Sequence, residues 1–358
     1  NTGGRYDPLT DTWSRTSTLN APLARAQHSA IWTGSEMIIW GGTRAVDQSN
    51  QAVDTGGRYN PASDTWTSTS TTGAPSAQYR QTAIWTGSQM IIWGGLQDGG
   101  VANQVGGLYV PASDSWFSMA ISPGLLRYDY SAVWTGAEML VWGGLFNQPM
   151  NTGIKYSPTT NTWSSFGSTS PPQARSQHGA VWTGSRMIVW GGKNDAGNLV
   201  TGGVYNPAND TWTPTSTTNA PTGLRPSSVW TGTRMLSWNG NHSRQYDPAT
   251  DSWSFFASIA VNQTFDSVVW TGAKMIIWGG LLGGTNPLDT GWRYDVASNT
   301  WTPTSAANLL SAREGHSAIW TGSTMIVWGG RTTGYAATQI QTGARYDPLT
   351  DSWTEISQ

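Results

Sequence analysis

The chain has 358 residues, of which 11% are charged, and a formal net charge of −2. A balance this close to neutral, with three lysines, excludes a polybasic grip on nucleic acid or on a membrane surface. The 23 tryptophans and 12 tyrosines exclude a disordered chain, and the absence of cysteine removes disulfides, thiolate metal sites and a cysteine nucleophile.

Two phrases alternate from one end of the chain to the other. Residues 1–13, NTGGRYDPLTDTW, carry the first, Tyr-x-Pro-x-x-x-x-Trp, which returns from Tyr59, Tyr109, Tyr156, Tyr205, Tyr246, Tyr294 and Tyr346. Val296 replaces the proline in one copy. The second phrase, WTGSEMIIWGG at 32–42, returns at 85–95, 134–144, 182–192, 230–240, 270–280 and 320–330. Together they use 22 of the 23 tryptophans, leaving only Trp292 outside.

Within each unit the pieces read as strands. SAIW before Thr-Gly and MIIW after it are short apolar runs bounded by turn residues. Thr-Gly between them supplies the glycine of a tight hairpin. MIIW is apolar at every position rather than alternately, the pattern of a strand covered on both faces. RYDP and DTW supply a third and a fourth strand, with proline and Asp or Asn at their turn. A period of about fifty residues made of four short strands is the signature of a propeller blade. The predicted fold is all-β: a single domain over 1–358, a seven-bladed β-propeller of four-stranded antiparallel blades. The blades are expected at about 25–66, 78–116, 127–163, 175–212, 223–253, 263–301 and 313–353, and residues 1–13 form an extra half-blade hairpin. Tryptophan has a reason here, because a blade too thin to hold its own core must bury flat aromatic area against its neighbour.

A strand ending in Gly-Gly, then a tyrosine, then a tryptophan seven residues on resembles the Kelch repeat. So does Arg-x-x-His-Ser-Ala ahead of the first strand, seen in RAQHSAIW (25–32), RSQHGAVW (175–182) and REGHSAIW (313–320). The resemblance covers essentially the whole chain and implies the propeller fold. It leaves activity open, because Kelch propellers include interaction adaptors, a copper oxidase and sugar-processing enzymes. The fifth unit, WNGNHSRQYDP, departs most, with Asn239 in place of the first glycine.

Spacing marks one working face. Tryptophan to tryptophan across the first hairpin is eight in all seven units, and tyrosine to tryptophan across the second is seven in all eight copies. The interval from the second glycine to the next tyrosine alone wanders: 17, 14, 12, 13, 6, 14 and 16 residues in turn. In a meander, those variable second-to-third loops share a face with the joins between blades, so a rigid scaffold presents unequal loops on one side. The longest, 331–343 and 43–56, belong to adjacent units; the nearly absent one is at Asn241 to Ser243. The tilted rim this implies competes with plain drift in loop length.

On that face the joins carry arginine. Arg25, Arg127, Arg175 and Arg313 share one register, with Arg80 and Arg225 two residues later. Six guanidiniums around a channel mouth suit carboxylates or sulfates, and Tyr128 and Glu314 lie in the same zone. The Kelch resemblance implies such a role, since this part of the blade helps hold acidic peptides in Kelch adaptors. The alternative is that the arginines bond strand-end carbonyls of neighbouring blades. His28, His178 and His316 repeat one register and read as structural. No metal site, catalytic residue or cofactor is expected: LQDGG (96–100) and KNDAGN (193–198) lack the ligand count of a calcium loop. Without cysteine, the family oxidase's cross-linked tyrosine cannot form.

The favoured reading is a non-catalytic scaffold that recognises a protein or glycan, acidic in character, without nucleic-acid binding or membrane insertion. The alternative is a sialidase- or epimerase-like sugar-active enzyme gripping an acidic sugar with the same arginines. Ser-, Thr-, Asn- and Gly-rich composition with little lysine points to a bacterial protein outside the cell or on its surface, and the leading Asn1 to a processed or excised chain. Eight second hairpins against seven first hairpins leave one over. It belongs to a longer array, or closes the last blade in place of 343–353, or begins an eighth blade. The second option frees a hairpin for a homo-oligomer or filament.

Overall fold

The computed structural model describes residues 3–7, 12–16, 19–46, 49–60, 63, 65–124, 126–167, 169–221, 227–239, 242–257, 259, 263–264, 267–283, 285–305, 311–332, 340 and 343–356. They form a seven-bladed β-propeller, each blade a four-stranded antiparallel sheet with its strands in chain order. Blade 1 is Ser29–Trp32, Met37–Trp40, Gly56–Asn60 and Thr65–Ser68. Blade 4, Gly179–Trp182, Met187–Trp190, Gly202–Asn206 and Thr211–Pro214, repeats its layout. Small two-residue ladders, such as Lys193–Asn194 with Gly197–Asn198, occupy several of the second-to-third loops.

The apolar run of the second strand has the expected cause. Every residue of Met37–Trp40, Met90–Trp93, Met139–Trp142 and Met187–Trp190 is buried, whereas the first strand of blade 1 alternates between buried and half-buried. The Thr-Gly turn is tied by its threonine: Thr183 Oγ1 accepts the Arg186 N–H at 3.0 Å, and the Thr183 N–H donates to the Arg186 carbonyl at 2.9 Å.

The second hairpin turns on an Asp or Asn in the left-handed region. Asp114, Asn161, Asp210, Asp251, Asn299 and Asp351 all have φ between 48° and 56°. Each accepts the hydroxyl of the tyrosine five residues earlier, as Asp210 does from Tyr205 at 2.7 Å. Aspartate and asparagine tolerate this backbone because their short polar side chains bond locally. The same oxygen also accepts a backbone N–H from the join ahead of the blade: Gly167 on Asp210 at 2.6 Å, Ser216 on Asp251 at 2.8 Å. The following tryptophan completes the lock, since Trp253 Nε1–H donates to the Ser216 carbonyl at 2.9 Å. The turn residue thus holds its own hairpin and the incoming chain together.

The chain divides into two compact units. One is built from residues 1–101, 107–118 and 263–358, the other from 102–106 and 119–262. In the first, the first strands of blades 6, 7, 1 and 2 run side by side in that order. The core there repeats one contact, second-strand indole on fourth-strand indole of the next blade: Trp40 on Trp116 at 5.3 Å between ring centres, Trp278 on Trp353 at 5.0 Å. The second unit holds blades 3, 4 and 5, with Trp142 on Trp212 at 5.1 Å and Trp190 on Trp253 at 4.4 Å. Burying each indole stabilises by roughly 2–3 kcal/mol, and a tilted aromatic pair adds about 0.5–1.5 kcal/mol.

Blade 7 is completed by its own C-terminal hairpin, Gly343–Asp347 with Ser352–Ile356. The N-terminal hairpin, Gly3–Asp7 with Thr12–Thr16, is a separate two-stranded sheet lying against those strands. It neither replaces them nor founds an eighth four-stranded blade.

Because Asn fills the turn position in blades 3 and 6, Asp210→Asn should leave stability within about 1 kcal/mol of the parent. Asp210→Ala loses two hydrogen bonds and keeps a positive φ, so it should cost on the order of 2–4 kcal/mol in urea unfolding. Equal costs for the two variants would overturn this account of the turn.

Candidate functional site

On the loop side of each blade the incoming join lies beside the start of the second-to-third loop. Antiparallel bridges link Ala26 to Thr43, Tyr79 to Leu96, Tyr128 to Leu145, Ser176 to Lys193 and Glu314 to Arg331. Join and variable loop therefore share a face, as the meander requires.

In blades 1, 3, 4 and 7 the base of the loop is closed by an arginine ahead of the first strand. Arg175 Nη1 donates to the carbonyls of Gly191 and Thr201, Nη2 donates to Thr201 Oγ1, and Nε donates to the Gln173 carbonyl. Arg25 does the same to Gly41, Thr55 and Leu23, and Arg127 to Gly143 and Thr152. Arg313 donates to the carbonyls of Gly329 and Ser311. All four are at most 3% exposed. Burial pushes the guanidinium pKa of Arg25, Arg175 and Arg313 down to about 10, which leaves these three charged at neutral pH, and it pushes that of Arg127 down as well. Their planar forks are spent on carbonyls, as the alternative reading of the sequence had it, but on those of their own blade rather than of a neighbouring one; a lysine could not bridge both loop ends. The sequence carries the other half of the clamp in the Thr-Gly before Tyr59, Tyr156 and Tyr205, a signal that spacing analysis of tryptophan and tyrosine passes over.

The glycine pair belongs to the same device. Gly42, Gly144 and Gly280 donate their N–H to the carbonyls of Gln78, Arg175 and Arg313 in the next blade. Gly42 sits at φ +94°, and a Cβ there would fall 2.6 Å from the Ala26 carbonyl oxygen. Only glycine fits this position.

Three residues after Arg25, Arg175 and Arg313 comes a histidine, where Tyr130 follows Arg127. His28, His178 and His316 are buried, and His178 and His316 meet Trp142 and Trp278 of the preceding blade edge-on, at 5.2 and 5.4 Å. Burial first, then the neighbouring clamp arginine, depresses each imidazole to about 3, so all three are neutral in the fold. Among the described residues no cluster of three or more His, Asp or Glu is arranged to hold a metal ion.

Between arginine and histidine lies a different kind of position. Gln27, Arg80, Asp129, Gln177 and Gly315 share one register, and all are left-handed, with φ between 53° and 62°. In the first unit the Gln27 N–H donates to the Gly315 carbonyl and the Arg80 N–H to the Gln27 carbonyl; in the second the Gln177 N–H donates to Asp129. Gln177 Nε2 also donates to Asp129 Oδ2 at 2.7 Å. A left-handed backbone costs roughly 1–3 kcal/mol for a residue other than glycine, and such strain concentrates at binding sites. One backbone geometry in these five blades presents glutamine twice and arginine, aspartate and glycine once each.

The six arginines of the sequence analysis therefore separate. Arg25, Arg127, Arg175 and Arg313 are inside; Arg80, two residues later, is exposed. Arg225 lies outside the described residues, as do 333–339 and 341–342 of the longest loop. Tyr128 is half-buried, with its backbone paired to Leu145. Glu314 forms an ion pair with Arg331 at 3.0 Å.

Each unit has a cleft on this face. In the first, a polar cleft of about 250 Å³ is lined by Gln27, Asn50, Tyr79, Arg80, Asp98 and Arg331. Asp98 is held to the loop, its Oδ1 accepting the Ala52 N–H at 2.6 Å. Arg331 was not among the residues singled out by sequence; its signal is a cation directly after the Gly-Gly of blade 7. In the second unit, an apolar cleft of about 550 Å³ lies over Arg127, lined by Pro123, Pro149, Met150, Phe166 and Pro171. A scan against protein-family models finds no match to this chain, and a search of the curated proteins finds none either.

The histidines set a pH dependence. The unfolded chain protonates each near pH 6.5 and the folded chain only near 3, so the unfolded state holds more protons between these values. Stability should fall as pH drops through that window, by up to about 1.4 kcal/mol per pH unit for each histidine. Urea midpoints from pH 7 to 4 should show the decline, and His178→Gln should remove about a third of the part due to histidine. An unchanged slope in that variant would contradict a neutral, buried His178.

Proposed function

We propose that this chain is a non-catalytic, exported bacterial propeller of the Kelch type, acting outside the cell or on its surface. Its loop face binds a carboxylate-bearing partner, either an acidic protein segment or an acidic glycan. The observation that carries the reading is the polar cleft of the first unit. It combines two guanidiniums, the phenol-bearing Tyr79 and the amides of Gln27 and Asn50 on one rigid base.

The chemistry suits recognition better than turnover. Arg80 is exposed and makes no ion pair among the described residues, so a ligand carboxylate can take its fork in a bidentate contact. Arg331 is already half-neutralised by Glu314, which lets an incoming carboxylate compete for it and disfavours larger polyanions. The amides and Tyr79 add neutral hydrogen bonds that fix orientation. The fold supports the same reading, since β-propellers commonly serve as binding scaffolds. The sugar-active alternative relied on a ring of six arginines around the mouth, and four of those are engaged with backbone carbonyls.

A panel of acidic glycans and acidic peptides, titrated by calorimetry at low salt, tests the proposal. A binder should lose roughly 10- to 100-fold in affinity in Arg80→Ala, the range expected when a charge-assisted hydrogen bond is removed, with Tm unchanged. Arg175→Ala should instead lower Tm. Binding unaffected by Arg80→Ala, or turnover of a bound glycan, would overturn the reading.

A further inference from the structure

The surplus hairpin is a near copy of the one that completes blade 7. From 2 to 13 it differs from 342 to 353 only at Gly4 for Ala344 and Thr12 for Ser352. The copy includes every residue type that locks the resident hairpin in place. The Tyr346 hydroxyl donates to Asp351 Oδ1 at 2.7 Å, and the same oxygen accepts the Ser305 N–H at 2.9 Å. Arg293 donates to the Pro348 carbonyl at 3.0 Å and pairs with Asp351 at 2.9 Å. Trp353 packs on Trp278 of blade 6. The corresponding residues of the first hairpin are Tyr6, Asp11, Pro8 and Trp13, identical at all four positions.

We propose that the outer position of blade 7 is an exchange site for which residues 3–16 and 343–356 of the same chain compete. The competitor is at hand, since strands Gly3–Asp7 and Thr12–Thr16 lie against Gly343–Asp347 and Ser352–Ile356. Tethering at that range gives an effective concentration on the order of millimolar, far above what a second copy reaches in dilute solution. The receiving strand, Met325–Trp328, makes backbone ladder bonds that do not depend on which hairpin supplies the partner. Balance between the two rests on the positions that differ. Ala344 is fully buried, pairing with Val327 in the core shared by blades 6 and 7, and Gly4 in its place would leave a methyl-sized void. That void favours 343–356 as the resident. Exchange releases the C-terminal hairpin with its open strand edges, the element through which one propeller can be joined to another.

The chain has no cysteine, so disulfide trapping is clean. Ile326 pairs with Arg345, and Arg5 holds the equivalent place in the first hairpin. In the full chain, the control I326C/R345C should close to a monomeric disulfide under mild oxidant. I326C/R5C should close more slowly, also as a monomer. Adding Gly4→Ala supplies the missing methyl and should raise the trapped yield about 5-fold. If the control closes and I326C/R5C does not, the proposal is overturned. A bond that appears only between two chains overturns the assignment of the donor to the same chain. Yield unaltered by Gly4→Ala shows that residues 3–16 do not take the seat of 343–356.

Discussion

Everything in this molecule follows from the thinness of a four-stranded sheet. A blade has two faces and no interior, so each must supply apolar area to its neighbour and take area in return. The chain solves this with one repeated contact, an indole at the end of the second strand set against an indole of the next blade's fourth strand. A tyrosine packs on that fourth-strand indole from within its own blade, as Tyr246 does on Trp253 at 5.0 Å. The hydroxyl of that tyrosine then reaches the left-handed Asp or Asn that also holds the incoming join. Aromatic packing and hydrogen bonding are thus joined at a single residue, which is why tyrosine rather than phenylalanine stands at this position in all eight copies.

A uniform scaffold leaves the loop face free to differ. In blades 1, 3 and 4 an arginine bonds the glycine and threonine carbonyls at the base of loops of unequal length, so length can change without disturbing the strands beneath. Beside it, one left-handed position in five of the blades carries glutamine, arginine, aspartate or glycine. The clamp arginines are buried, and the variable positions beside them are half-buried or, at Arg80, exposed. The left-handed backbone holds these side chains in a fixed orientation.

The strands, the hairpins and the seven blades were legible because their causes are local: apolar runs, turn glycines and a strict period. The buried role of Arg25 and its equivalents was legible only as one of two options, since an arginine on a carbonyl and an arginine on a ligand look alike in sequence. Two residues of offset separate Arg80 from that register. In an extended segment such an offset keeps both side chains on one side, which made the six arginines look like a single ring. Arg80 itself sits at the left-handed position that turns the chain, and φ leaves no mark in a sequence when glutamine, arginine and aspartate stand there as well as glycine. The cleft was hidden for a similar reason: Arg331, Asp98 and Asn50 come from three different loops that only the fold brings together.

The measurement that bears most directly on the central constraint is a double-mutant cycle on Trp190 and Trp253, the closest of the four inter-blade indole pairs described above, at 4.4 Å. Trp190→Leu, Trp253→Leu and the double variant would be compared by urea unfolding. If indole stacking ties blade to blade, the pair should show a coupling free energy of about 1 kcal/mol or more. Strictly additive losses would mean that each tryptophan merely fills space within its own sheet, and would contradict the account.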